Sequence, residues 1–363
     1  MPDRRAFLRS LIAASAMPAV SWADAGSPEY LAAAKQPDGS FHLHGLTNSG
    51  ISVLSLPLPT RGHAAAAHPQ RPEAVAFARR PGTFAIVIDC VSGRLAQELD
   101  APEGRHFYGH GCFSADGTLL FTTENEYAEG RGRIGVWDAA NGYRRVGDFA
   151  SGGIGPHEIL RLPGSDILAI ANGGIRTHPD TGRAKLNLDT MQPNLTYAGP
   201  DGKLLEKVEI AHTWRRNSIR HLAARPDGSV AFAMQWEGDL WETPPLLGIH
   251  LRGTMPRLLE AGSTQARMRG YAGSVAFSGD GSQVGITSPR GGLAQIYHVS
   301  GGTLVQQLEQ PDICGLAAHP SGFLATDGAG GCRTVISDMA SAAPAPSWSN
   351  LAWDNHLVSI RKS

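Results

Sequence analysis

Charge is scarce in this chain: Asp, Glu, Lys and Arg make up 18% of 363 residues, and 32 basic against 33 acidic side chains leave a formal charge of −1. No basic surface for a nucleic-acid backbone follows from such a balance. Cysteine is equally sparse. Cys90, Cys112, Cys314 and Cys332 are never spaced as CxxC or CxxCH, which excludes zinc ribbons and covalently attached haem. Neither a GxSxG elbow nor a phosphate-binding GxxxxGK loop occurs, so a nucleophile on a sharp turn and a nucleotide cradle are both without support. Residues 130–135 match GxGxxG but lead into the strand-like IGVWD and not into a helix, so no nucleotide cofactor is expected. His157-Glu158 begins like HExxH, yet Arg161 stands where the second histidine would be. Outside the first residues no apolar run approaches the length of a membrane span.

Turn formers, in contrast, are abundant: 44 glycines and 24 prolines fall between short apolar runs. They punctuate a phrase with a constant internal offset, an anchor followed six positions later by the centre of a turn. His63 leads to Pro69, His110 to Asp116, His157 to Pro163, His221 to Asp227, Ser274 to Asp280 and Cys314 to Pro320. The first three anchors are 47 residues apart, and the later intervals are 64, 53 and 40. Units of this length holding several short strands each, of the WD40 or YVTN kind, are the sign of a β-propeller.

The unit after His110 shows the pattern: a small-residue strand to Asp116-Gly117, LLFTTEN, RIGVWD, the turn Asn141-Gly142 and YRRVGDF. Asp-Gly and Asn-Gly supply the positive φ of tight hairpins, so these aspartates read as turn residues. Six units span 62–108, 109–155, 156–218, 219–268, 270–311 and 313–348. The strand-like ends SFHLHGL, GISVLSLPLP and SNLAWDNHLVSI remain. Joined, they make a seventh blade and leave no open sheet edge. The expectation is an all-β, seven-bladed propeller of four-stranded antiparallel blades, the last closed by both termini. It forms one domain over 38–361 with a polar insertion at 172–193.

Residues 1–23 differ in kind. Arg4-Arg5, the apolar stretch LIAASAMPAV and the small residues around Ala23 and Ala25 read as a twin-arginine export signal cut after 23 or 25. The mature protein is expected in the periplasm without an integral membrane span. An oxidising compartment permits disulfides among the four cysteines, with free buried thiols equally compatible.

Propeller topology brings two sets of residues to one end of the central channel. The first is the anchor ring, whose His63, His110, His157 and His221 are candidate metal ligands, since imidazole is the commonest protein ligand. Cys314 in the same ring would suit a soft metal. The second follows the second strands and the insertion: Glu124, Asn125, Asn172, Arg176, His178, Asp180, Arg183 and Arg290. Polar groups on long loops over a rigid scaffold are where binding resides, and the arginines suit an anionic ligand or carboxylate.

GHGCFSADGTLLFTTEN, IGVWD, ANGGIRTHPDTGRAKLNLDTMQPNL, SIRHLA, TSPRGG and DICG together resemble a bacterial exported family known as domain of unknown function 1513. The resemblance covers most of 60–335. It implies a periplasmic propeller often encoded near imelysin-like iron-associated proteins and a haem-containing thiol oxidoreductase-like protein; periplasmic iron-associated or redox proteins are therefore the expected partners. It supplies no catalytic residues. Three functional readings stand: a propeller binding iron, copper, zinc or manganese at a histidine-bearing channel mouth, accessory to iron or redox-metal handling; a metal-dependent hydrolase, lactonase or oxidoreductase with Glu124, Glu158 or His178 as acid or base; and a protein-interaction platform without metal.

Overall fold

Runs of small residues occupy the strand nearest the axis in several repeats, as in GHAAAA (Gly62–Ala67) and SVAF (Ser274–Phe277). Only small or bulged segments can approach one another that closely. The computed structural model describes residues 20–78, 83–182, 184–336, 342–344 and 351–360. In it seven antiparallel sheets of four strands each are arranged around a channel. The innermost strands are Gly62–Ala67, Arg105–Phe113, Pro156–Arg161, Asn217–Ala224, Ser274–Phe277, Ile313–His319 and Ala352–Ser359. The expected seven blades and their order are those observed.

Closure is made by the two ends of the chain. Ala352–Ser359 is the inner strand of a blade completed by Tyr30–Lys35, Phe41–Leu46 and Ser52–Leu58, in the register Tyr30↔Ser359, Leu31↔Val358 and Ala32↔Leu357. The sheet thus starts at Tyr30, ahead of the boundary expected at 38. The cores lie between neighbouring blades, one cluster for each of the seven interfaces. Val75 and Phe77 meet Phe107, Leu120 and Trp137 in one; Leu195 and Tyr197 meet Ile219 and Phe232 in another. Each sheet therefore buries both faces, and no single central core exists.

The Asp-Gly turns are as read. Asp116 Oδ1 accepts from Thr118 N at 3.0 Å and Ser114 Oγ at 2.6 Å, an Asx-type turn. Gly117 has φ 73°, and a side chain there would run into His68. All four cysteines are free. No helix among the described residues is long and apolar enough to cross a membrane.

The expected export signal falls mostly on residues 1–19, outside those described. Trp22, close to the expected cut, is buried among Leu43, Leu56 and Ile88, and its indole Nε1 donates to His68 O at 2.9 Å. Loss of a buried tryptophan removes contacts worth about 3–5 kcal/mol. A chain beginning at Gly26, or one carrying Trp22→Ala, is expected to unfold at lower denaturant concentration than a chain beginning at Val20, by about that free energy. Equal midpoints in urea would show that the Trp22 segment adds nothing.

Candidate metal centre

Six of the seven inner strands lose regular register at or beside the anchor. Pairing skips between Gly62 and Ala65, Phe107 and Gly111, Pro156 and Glu158, Ile219 and His221, and Ile313 and Leu316; on the closing strand it breaks where Ala34 pairs with Trp353 and Ala32 with Leu357. Only the strand of Ser274 pairs evenly. A bulge re-aims one side chain out of the pleat, and here it turns the histidine anchors towards the axis.

The result is a cluster of five imidazoles. His63, His110, His157 and His221, the four expected ligands, are brought together and joined by His356. Ring centroids lie 4.9 Å apart for His63 and His110, 5.1 Å for His110 and His157, 4.8 Å for His157 and His221, and 4.8 Å for His221 and His356. His356 is also 4.5 Å from His63 and 4.6 Å from His110. It is the anchor of the closing blade. The sequence signal for it was present: NHLVSI (355–360) parallels RHLAAR (220–225), although Lys362 stands where the other repeats have the Asp or Pro of the turn.

One carboxylate enters the cluster. Glu158 Oε2 lies 3.1 Å from His221 Nδ1 and 3.9 Å from His110 Nδ1, and it accepts from Leu222 N at 3.3 Å. His110 Nε2 is 3.2 Å from His63 Nε2. His157 Nδ1 is buried without a hydrogen-bond partner. His110, Glu158, His221 and His356 form one group of metal-ligating side chains whose donor atoms lie within 4.8 Å of one another, and His63, His110 and His157 form a second.

Electrostatics favour donors over cations here. Burial, and then the neighbouring His356 and His221, hold His110 well below the usual imidazole value. His157 is lowered by burial and then by Arg220 and the adjoining rings. Both are therefore neutral near pH 7, the form that ligates metals. Burial pushes the Glu158 carboxyl up to about 7.

His110, Glu158, His221 and His356 line a cavity of about 1110 Å³ that runs along the inner strands to their turn ends. Its walls are small and apolar, from Ala64–Ala67, Gly111, Ala276 and Ala317, with Arg161, Arg225, Asp227 and Asp280 at the turn end. His63 and His157 do not line it. The histidines thus sit inside the channel, not at its rim.

None of the described residues of the second set reaches this cavity. Glu124 is fully buried within its blade, where Arg145 engages both carboxylate oxygens at 2.5 and 2.9 Å and Arg105 lies 3.4 Å away. Asp148 joins the same ion cluster, and bonds to Arg133 and Arg105 bring its carboxyl down to about 2 despite the opposing effect of burial, the largest single influence on it. Asn125 donates to Thr177 O at 3.2 Å, and Asn172 is held by Ser151 and Asn194. Both fasten the insertion, as does Tyr108 OH, 3.2 Å from Thr177 Oγ1 and two residues ahead of His110. Arg176 is exposed and donates to Ala128 O. His178 Nδ1 lies 3.6 Å from the exposed Asp180, and Arg290 stacks over Tyr271 at 4.3 Å. Arg183 lies outside the described residues. Cys314 does not join the imidazoles: its Sγ is directed to Asp354 O at 3.4 Å and Thr326 O at 3.5 Å, and burial pushes its thiol up to about 12.

A family model described as Protein of unknown function (DUF1513) matches residues 56–360. No curated protein sequence matches the chain. Among solved structures it is similar to Kuenenia stuttgartiensis hydrazine synthase, with 14% identity and a TM-score of 0.57 over 86% of this chain and 94% of that one. It is also similar to the β-propeller domain of Myceliophteria thermophila Cps50 (Swd1), with 13% identity and a TM-score of 0.59 over 82% and 90%. A computationally designed protein, Ika8, gives 13% identity and 0.57 over 89% and 85%. At such identities the likeness is one of fold.

Two consequences can be measured. Removing one partner of a buried ion pair leaves the others uncompensated, a loss of about 3–5 kcal/mol; Glu124→Ala is therefore expected to destabilise the protein by that amount while leaving bound metal unaltered. Lost metal with unchanged stability would reverse the assignment. For Glu158, the metal-free folded state keeps a proton up to about pH 7 that the unfolded chain releases near its ordinary 4.5. The group's contribution to stability therefore declines as pH rises through that window. Glu158→Gln lacks this decline, while the histidines, with the opposite sign, remain. In urea melts with chelator, Glu158→Gln should gain on the parent protein between pH 4.5 and 7, by on the order of 3 kcal/mol. Parallel profiles would mean that the carboxyl is not perturbed.

Proposed function

The chain belongs to the DUF1513 family, and from that premise we propose that it is a periplasmic metal-binding propeller serving iron or other redox-metal handling. The observation that carries this reading is the convergence of His110, His221, His356 and Glu158, donor atoms within 4.8 Å, on an open cavity. Neutral imidazole with one carboxylate suits iron, copper and zinc, and the carboxylate also accepts manganese. Donor chemistry fits such an ion, and one pair is already spaced for it: metal–nitrogen bonds of about 2.0–2.1 Å place neighbouring tetrahedral donors roughly 3.3 Å apart, close to the 3.1 Å between His221 Nδ1 and Glu158 Oε2.

When bound, the ion would supply a Lewis-acidic or redox centre. The protein's own residues do the rest. Bulged inner strands orient the rings, burial keeps His110 and His157 unprotonated, and Glu158 offsets cationic charge. Export through the twin-arginine route, supported by Arg4-Arg5 and the apolar stretch that follows, would carry the folded propeller with its ion already in place. The cavity also supports a second reading, a metal-dependent hydrolase, lactonase or oxidoreductase. Turnover on a panel of lactones and redox dyes, abolished by chelation, would favour it.

Elemental analysis of protein purified without a metal-affinity tag tests the main reading. Near-stoichiometric iron, copper, zinc or manganese is expected, and its loss in His110→Ala/His221→Ala. Folded parent protein that takes up no metal would discard it and leave the interaction platform.

A further inference from the structure

The two ligand groups are not independent, because they share one residue. His110 presents Nε2 to His63, 3.2 Å away, and Nδ1 to Glu158, 3.9 Å away. These nitrogens lie on opposite edges of one ring, so a single ion cannot use both. Glu158 stands on the Nδ1 side and His63 on the Nε2 side; His221 and His356 fall in one ligand group with Glu158, and His157 in the other with His63. Resting on the metal reading above, we propose that the channel holds a dinuclear centre in which His110 bridges two cations as an imidazolate. One ion would be held by His110 Nδ1, Glu158, His221 and His356, the other by His110 Nε2, His63 and His157.

The chemistry balances without a redox partner. A neutral imidazole offers one lone pair and carries one N–H; the second cation takes the place of that proton, which leaves to solvent. The local surroundings support both halves. The His63 to His110 spacing matches the edge of about 3.3 Å expected between tetrahedral nitrogen donors. His157, in the same ligand group as His63, has a buried Nδ1 without a hydrogen-bond partner. Gly109, at φ 97°, leaves His63 its place, since a β-carbon there would lie 2.6 Å from His63 Cδ2. The halves also differ in access: His110, Glu158, His221 and His356 face the cavity, while His63 and His157 do not. The cavity-facing ion is then the exchangeable one that meets small ligands, and the other is resident.

The test is titration of metal-free, full-length protein with Cu2+, followed by calorimetry and electron paramagnetic resonance. Two equivalents are expected. The second should abolish most of the resonance intensity of the first, because spins coupled through an imidazolate pair antiparallel. His63→Gln/His157→Gln should retain one equivalent with a full, uncoupled signal, and His221→Gln/His356→Gln should do the same. The spectrum of the parent protein needs no variant to fold. Saturation at one equivalent would overturn the dinuclear centre and leave the metal reading standing. Two equivalents with full signal intensity would overturn the bridge alone, and no binding at all would remove both.

Discussion

Everything in this molecule depends on the pairing of Ala352–Ser359 with Tyr30–Lys35. A ring of seven sheets is stable only when closed, since an open ring exposes two sheet edges and two unpacked faces. The pairing hydrogen-bonds the last strand to the first and packs Trp353 and Leu357 against the blade of Leu324 and Cys332. It also delivers His356 to the axis, so ring closure and completion of the imidazole cluster are one event.

Such a cluster works against folding. Each ring nitrogen removed from water needs a partner, and five rings with one carboxylate offer few. The bulges that aim the rings also interrupt the inner hydrogen-bond ladder at six blades. Stability comes instead from the seven interblade clusters, which begin at inner-strand residues such as Ala66, Ala276 and Leu357 and have most of their members farther from the axis. This separation lets the channel carry polar groups that a single central core would not tolerate, and places where local rules are broken without local compensation are where function is expected.

The histidine anchors were legible because they recur at one offset from a turn, and a repeat converts sequence position into radial position. The same reasoning failed to distinguish the two faces of the second strands. Glu124 alternates onto a face between blades, where Arg105 and Arg145 neutralise it, and the pleat alone does not say which face that is. Glu158, one residue past an anchor, would ordinarily point away from the axis; the bulge at His157 turns it inward. The fifth ring was hidden because Lys362, six positions past His356, is not a turn residue that marks the repeat.

The sequence by itself determined the seven blades, their order, the turn chemistry and the family, since these rest on periodicity and on local backbone preference. Tertiary structure alone decided which anchors meet. Five imidazoles and Glu158 converge because strand tilt and bulges set the direction of each side chain, while Ser274 and Cys314, at equivalent repeat positions, turn to backbone carbonyls of neighbouring strands. Direction at the axis is a property of the closed ring and of no single repeat.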